Sequence, residues 1–438
     1  MLINALLGKM QSVLQPVYDK SVVLQKIDWL IFANILFVIF SSAFAQSDNI
    51  GYFAIFAMIL TGVKLLTKSG LRFELTTAEK FLLIYFLIVV ISVAGSSLFY
   101  LSLKGFFKTF IYLGFYVSFV HYIKDNRSKI KYILIAMAMA VVGESIIALK
   151  QNFLSVSEIS GWQDMSRLNP EEVMTRVYGS LKPYNPNLFG GYMLAALPST
   201  LVLVYLPLLN KHYKTALFGV GCFVLAAVSI VLTGCRGAYI GLFLEFVLLA
   251  LLTYRFLKPE FKKLFMTLAA AFSAFVFMVI VSTASLRARI FSIFAMRSDS
   301  SNSFRFNVYN SCIDMFKDNW LLGIGVGNQN FREIYGLYMK TGFDALSAYN
   351  IYLETAVESG VFALLAFLTF IVLNIKAAIK YILIRKNANV IYLAIALISL
   401  IGILIHGFVD TVFFRPQIQF VFWMMIGIIR VITNAKKN

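Results

Sequence analysis

Residues 264–283 read LFMTLAAAFSAFVFMVIVST, an apolar stretch without a single charged side chain. At a rise of about 1.5 Å per residue, a helix of this length crosses the roughly 30 Å hydrocarbon core of a bilayer. Lys262 and Lys263 directly precede the stretch, at the position where membrane helices place basic residues beside lipid headgroups. The stretch therefore predicts a transmembrane helix.

The same pattern extends over the whole chain. Of its 438 residues, 60% are hydrophobic and 14% are charged, whereas a soluble domain carries about 25% charged residues. Because the apolar blocks are long enough to cross a bilayer, we predict an all-α polytopic membrane protein with about twelve transmembrane helices. The predicted spans are 29–46, 51–67, 81–99, 106–123, 130–149, 187–207, 215–233, 238–254, 264–283, 351–375, 388–408 and 417–433.

Basic residues divide the connections between these spans into two groups. Lys and Arg are concentrated in alternate connections, such as 124–131, 211–214 and 255–263, whereas 46–49 contains none. Since basic connections remain on the cytoplasmic side, we predict a multi-pass protein of the cytoplasmic (inner) membrane with both termini in the cytoplasm. The net charge of +18 then follows from membrane topology, and nucleic acid is not an expected partner.

Three segments differ from this alternation of spans and short connections. Residues 1–27 predict a cytoplasmic amphipathic segment suited to the membrane surface. Its apolar residues recur at helical spacing: Leu6, Met10, Leu14 and Val17. Residues 28–438 predict one transmembrane domain with outer loops at about 150–186 and 284–350. The second loop is rich in arginine, which favours an anion site on the outer face, with a solvated surface as the alternative.

The sequence lacks the residue patterns of several kinds of catalytic site. Neither the three histidines nor the three cysteines have metal-ligand or CxxC spacing, and no GxxxxGK[ST] motif occurs. We expect no metal, no cofactor and free thiols. The glycine-rich run GIGVGN at 323–328 predicts a tight turn that brings the backbone near a membrane-surface site.

Arg236 and Arg305 are the strongest candidates for a binding site. Arg236 lies in the run TGCRGA at 233–238, at a connection predicted to face outward. An arginine at the membrane boundary is costly unless it is paired or reaches the surface, so an interfacial anchor is its alternative role. Arg305 lies in the second outer loop. Guanidinium groups hold phosphate oxygens in a bidentate fork, so two of them would hold a diphosphate.

Acidic residues within or near the spans are candidate partners for an arginine, or proton carriers. They are Glu144, Glu245, Glu354, Glu358 and Asp410. Glu354 and Glu358 are four residues apart and share one helix face. We predict that this face points at the base of the second outer loop.

Taken in order, several short motifs resemble the O-antigen ligase and polymerase superfamily of GT-C-type membrane glycosyltransferases. The motifs are NPNLFGGY at 185–192, TGCRGA at 233–238, SFR at 303–305, GIGVGN at 323–328 and AYNIYLE at 348–354, continuing to ESG at 358–360. Within that superfamily, RVY at 176–178 and ALSAY at 345–349 resemble the subgroup described as inorganic-carbon transporters. The resemblance implies a GT-C-like fold with a long helical outer loop between helices nine and ten.

The resemblance also implies an activity and assigns candidate residues. The implied reaction transfers a glycan from an undecaprenyl-diphosphate carrier to a glycan or lipid acceptor at the outer face of the membrane. Arg236 and Arg305 match the arginines that engage the diphosphate. Tyr349 stands where ligases have a histidine. A phenol with a pKa near 10 is a poor general base, so Glu354 is the alternative candidate for activating the acceptor.

Asn187, Arg289 and Asn350 are further candidate site residues. The loss of the histidine leaves open a polymerase, a different acceptor or a non-catalytic member. An inorganic anion (bicarbonate) transporter is the main alternative function, and a structural membrane subunit is a third. Against transport, the basic residues cluster on one side of the membrane and not at its midplane.

Overall fold

A computed structural model describes residues 2–153 and 174–434, which fold into α-helices and contain no strand. Residues 154–173 of the first predicted outer loop lie outside the described part. The α-helices, in chain order, are α1 (Leu2–Lys20), α2 (Val22–Gln25), α3 (Ile27–Phe44), α4 (Ser47–Thr67), α5 (Thr77–Ala94), α6 (Phe99–Asp125), α7 (Ile130–Phe153), α8 (Pro186–Ala196), α9 (Val202–Leu209), α10 (Tyr213–Leu232), α11 (Arg236–Phe256), α12 (Pro259–Ser282), α13 (Ala284–Phe291), α14 (Ser300–Asp318), α15 (Asn328–Tyr335), α16 (Ile351–Ile384), α17 (Asn389–His406) and α18 (Pro416–Thr433).

The described residues contain 12 helical segments long and apolar enough to cross a membrane, which confirms the predicted fold class. Some predicted ends were wrong. The fourth span begins at Phe99 and not near 106, and the tenth continues to Ile384 and not to 375. A hydropathy pattern detects the part of a helix that lies in lipid, whereas hydrogen bonding continues into polar turns beyond it.

Burial differs sharply between helices. In α18, 89% of the residues in its apolar, membrane-crossing stretch are buried, so this helix lies inside the bundle. In α12 none of the residues in the corresponding stretch is buried. The ring of Phe272 in α12 lies 5.8 Å from that of Phe246 in α11. Elsewhere small residues let helices approach closely: a Cβ on Gly219 would lie 2.4 Å from the carbonyl oxygen of Leu203.

Buried acidic side chains within the spans find different partners. Glu79 and Arg430 form an ion pair at 3.1 Å, and Tyr116 donates a hydrogen bond to the same carboxylate oxygen. Glu144 accepts a hydrogen bond from the backbone N–H of Ser180, 2.9 Å away, and so pairs with the loop after α7. Glu245 is buried, and neither of its carboxyl oxygens has a hydrogen-bond partner among the described residues.

The segment predicted to be the second outer loop is helical, as predicted, and contains α13, α14 and α15. Its own apolar core includes Val308, Cys312, Phe331 and Tyr335, and it also takes in Val357 of α16. This shared core fixes the loop on the end of the tenth span. The loop is therefore a packed module.

The tenth span is interrupted where this module meets it. Gly360 has φ 80° and ψ 174°, so the helical hydrogen bonding of α16 breaks there. Ile324 and Gly325 donate their backbone N–H groups to the carbonyls of Val357 and Glu358, at 3.0 and 2.9 Å. The glycine-rich run thus supplies the hydrogen bonds that the broken helix lacks.

The glycines of the run are required by contacts within the protein. A Cβ on Gly323 would lie 2.4 Å from the backbone of Glu358, and one on Gly325 would lie 2.5 Å from the Ser102 hydroxyl. Gly323 has φ 73°, which other residues rarely adopt. The run therefore packs tightly against α5, α6 and α16 at the base of the module.

Candidate functional site

Asn187 lies at the centre of a hydrogen-bonded cluster at one end of the bundle. Asn185 caps α8, because its side-chain oxygen accepts the N–H groups of Asn187 and Leu188 at 2.8 and 3.3 Å. This cap places Asn187 on the first turn. Its amide oxygen accepts from Arg176 at 2.6 Å, and its amide nitrogen donates to Asp410 at 3.2 Å.

Arg236 is the first residue of α11 and is buried. Its guanidinium lies 2.8 Å from a carboxylate oxygen of Asp299, and it donates to the carbonyl and the hydroxyl of Ser292, both at 3.2 Å. Asp299 also caps α14 by accepting the N–H of Asn302. Arg236 therefore joins α11 to the module of residues 284–350 through an ion pair and two hydrogen bonds.

Two further arginines bind the turn that precedes α11. Arg176 donates to the carbonyl of Thr233 at 2.7 Å, and Arg289 donates to the carbonyl of Gly234 at 2.7 Å. Burial lowers the pKa of Arg176, as does the charge of the neighbouring Arg236, although a guanidinium remains protonated in proteins. The predicted candidate Arg289 thus belongs to the same cluster as Arg236.

Arg305 on α14 contacts the same aspartate as Asn187. Its guanidinium is 3.7 Å from Asp410, and it stands 5.8 Å from the centre of the Tyr349 ring. Asp410 is buried, and its second oxygen accepts the backbone N–H of Thr411 at 2.8 Å. This contact confirms that Asp410 pairs with an arginine, which is one of the two roles expected for it, the other being a proton carrier.

Tyr349 is held in an uncommon backbone conformation, with φ 51°. The hydroxyl of Tyr309 donates to its carbonyl at 3.2 Å, and Phe304 packs edge-on against its ring. Burial, followed by the charge of Asp410, raises the pKa of the Tyr349 phenol above its ordinary value. The side chain is therefore neutral at physiological pH and suited to donating a hydrogen bond.

Glu354 and Asn350 are engaged by the backbone beside Tyr349. Glu354 accepts the N–H of Ala348 at 2.8 Å, and Glu358 accepts the N–H of Gly327 at 2.8 Å. The prediction that both carboxylates face the base of the outer loop is confirmed. Asn350 caps α16 through the N–H groups of Tyr352 and Leu353. In this geometry Glu354 and Asn350 position the segment that carries Tyr349.

The cluster combines four arginines with two aspartates. Arg176, Arg236, Arg289 and Arg305 come from four separate segments, and Asp299 and Asp410 lie among them. Carboxylates bind guanidinium groups in the geometry that phosphates use. Asp299 and Asp410 are the acids that contact Arg236 and Arg305, at 2.8 and 3.7 Å.

Sequence reasoning did not assign Asp410, Arg176 or Asp299 to the site. The predicted topology contained a signal for Asp410, because the connection 407–415 follows the eleventh span and belongs on the same side as the arginines. It contained none for the contact between Cys235 and His406, whose Sγ and Nε2 atoms lie 3.5 Å apart. The three cysteines are free, as predicted.

Fold and site together define a class: a multi-pass α-helical membrane protein with an arginine cluster at one end of its helix bundle. Residues 221–368 match the family described as O-antigen ligase. The matched region contains Arg236, Arg305 and Tyr349, so it covers the predicted diphosphate-binding pair. No curated protein matches the chain.

Proposed function

We propose that this protein is a membrane glycosyltransferase of the O-antigen ligase type, with a GT-C-like mechanism that needs no metal. It transfers a glycan from an undecaprenyl-diphosphate carrier to a glycan or lipid acceptor at the outer face of the cytoplasmic membrane. The observation that carries the proposal is the convergence of Arg236 and Arg305 on one end of the bundle, within the region that matches the ligase family.

The proposed chemistry follows from the charge of the leaving group. An acceptor hydroxyl oxygen bonds to the anomeric carbon, the bond from that carbon to the diphosphate oxygen breaks, and the hydroxyl proton is released. Negative charge builds up on the departing diphosphate. Preorganised cations stabilise such charge strongly in a site from which water is excluded. Arg236 and Arg305 are assigned this role.

The exposed helix α12 supports a lipid-linked donor. None of the residues in its apolar, membrane-crossing stretch is buried. Its C-terminal end leads into α13, which carries Arg289 of the arginine cluster. A polyprenyl chain gains free energy by lying along apolar helix surface. The tail would lie beside α12 while its diphosphate reaches the arginines.

Glycan transfer by the purified protein tests this function. With an undecaprenyl-diphosphate glycan and a panel of acceptors, we expect product from the wild type and a loss of about 10- to 100-fold in Arg236→Gln, since hydrogen bonds to charged groups contribute about 1.5–3 kcal/mol. The exposed Lys317, which pairs with Asp314, provides the control Lys317→Gln. Wild-type-like transfer by Arg236→Gln would contradict the assignment of Arg236.

Tyr349→Phe separates positioning from proton transfer. The raised pKa keeps the phenol neutral. We therefore expect that ionisation of Tyr349 does not change the transfer rate of the wild type between pH 6 and 9. The variant should lose about tenfold or less, as one hydrogen bond is worth about 0.5–1.5 kcal/mol. A far larger loss of activity, together with a pH dependence that is present in the wild type and absent in Tyr349→Phe, would make the phenol a proton carrier.

Inorganic anion transport is the alternative that the same preparation can test. The four arginines lie at one end of the bundle, whereas a transport pathway needs polar groups across the membrane. Bicarbonate flux into liposomes, in the absence of any glycan transfer, would favour the transporter.

A further inference from the structure

Helix α1 presents an apolar stripe that nothing in the described protein covers. Leu6, Met10, Val13 and Val17 are 56%, 46%, 74% and 53% exposed. Their spacing of four, three and four residues places them on one face of the helix. The sequence-based stripe included Leu14, which the structure half-buries, and Val13 takes its place.

The opposite face of α1 is fixed to the bundle by side-chain amides. Gln11 donates to the carbonyls of Leu65 and Leu71, at 2.8 and 3.0 Å. Asn4 exchanges two hydrogen bonds with the backbone of Phe73, both at 2.9 Å. These contacts hold α1 against the end of α4 and the segment that follows it. The orientation of the apolar stripe is therefore set by the fold.

Basic residues border the stripe. Lys9 and Lys20 are exposed, and helical spacing places both at the edge of the apolar face. Lys26 and Arg72 are exposed nearby in the chain segments that adjoin α1 and α4. Such an arrangement suits a helix lying in a membrane interface, where lysines reach phosphate groups while apolar side chains enter the acyl region.

Neighbouring residues indicate that this end of the bundle lies at the level of lipid headgroups. Trp29, on the first turn of α3, is 64% exposed. The ammonium of Lys129 stands 4.6 Å above its ring. Tryptophan and lysine at the end of a span are typical of the membrane–water interface. A helix docked at this end therefore has lipid within reach.

We propose that α1 is an interfacial helix whose stripe Leu6, Met10, Val13 and Val17 inserts into the membrane leaflet on the lysine-rich side. Its partner is an anionic lipid surface, attracted by Lys9 and Lys20, because juxtamembrane basic residues bind more strongly to negatively charged leaflets. This inference concerns the end of the bundle away from the arginine cluster and does not depend on glycan transfer.

Spin labelling of the full chain in lipid nanodiscs tests the proposal. The native cysteines are buried, so a label attaches selectively to Val13→Cys, and the unsubstituted protein measures the background. Ser12→Cys is the matched control, because Ser12 is exposed on another face of the same helix. In nanodiscs of phosphatidylcholine with phosphatidylglycerol, we expect the label at 13 to be accessible to oxygen and protected from a water-soluble nickel chelate. The label at 12 should show the reverse.

The contrary outcomes are distinct. Equal access of the nickel chelate to both labels would place the stripe in water and overturn the proposal. Protection of the label at 13 from both reagents would mean a protein contact, which also overturns it. In Val13→Cys carrying Lys9→Gln and Lys20→Gln, nickel access should rise only when phosphatidylglycerol is present. An identical rise in pure phosphatidylcholine would refute the preference for anionic lipid.

Discussion

Arg305→Lys is expected to lower glycan transfer about 100-fold although it keeps the positive charge, which is the typical cost of removing one transition-state donor. Arg305 is 18% exposed and 3.7 Å from Asp410, whereas Arg236 is 7% exposed and 2.8 Å from Asp299. The looser pairing leaves Arg305 the freer of the two to engage a substrate. Lysine offers a point charge in place of a planar fork and cannot hold two phosphate oxygens in the same geometry.

Initial rates with a lipid-linked donor, measured over a range of donor concentrations, check this prediction. The matched control is Arg332→Lys in the same outer module, where Arg332 forms an exposed pair with Asp344 at 3.0 Å. It should keep wild-type rates, because exposed pairs contribute little. Full activity of Arg305→Lys would mean that charge alone suffices and would remove bidentate recognition from the mechanism.

Gly323→Ala is expected to destabilise the protein by about 2–5 kcal/mol, from the left-handed backbone conformation and from overpacking against a backbone that cannot move aside. Gly323 has φ 73°, and its added Cβ would stand 2.4 Å from the carbonyl of Glu358. Thermal unfolding in detergent should therefore begin at a markedly lower temperature than in the wild type.

Gly342→Ala distinguishes the two causes. Gly342 lies in the same module with φ 87°, but nothing stands within 4 Å of its added Cβ. It carries the conformational cost alone, about 1–2 kcal/mol. Similar melting temperatures for the two variants would show that the glycine-rich run is not tightly packed on the tenth span.

The transmembrane architecture could be predicted from sequence because the bilayer imposes a length and a polarity on every span. The tenth span shows the limit of that reasoning. The predicted span 351–375 runs through Gly360 as one continuous helix. The break depends on hydrogen bonds from residues 324 and 325, which come from a different part of the chain.

The candidate site was predictable in part for the same reason. Topology placed Arg236 and Arg305 on one side of the membrane, and their chemistry indicated an anion. The identity of the acidic residues that contact these arginines depends on how the connections between the spans fold. Asp299 meets Arg236 because it caps α14, and Asp410 meets Arg305 because the turn after α17 folds back onto α8. The assignment of these residues to catalysis remains a prediction.

The break at Gly360 also constrains how the protein is assembled in the membrane. As the tenth span leaves the insertion machinery, the carbonyls of Val357 and Glu358 have no helical partner, and exposure of such groups to lipid costs several kcal/mol. In the folded protein the backbone N–H groups of Ile324 and Gly325 bond to these carbonyls, and the hydroxyl of Ser92 on α5 also donates to that of Glu358. We therefore expect stable integration of this span to follow the folding of residues 284–350, so that the biogenesis of the bundle is coupled to that of this module.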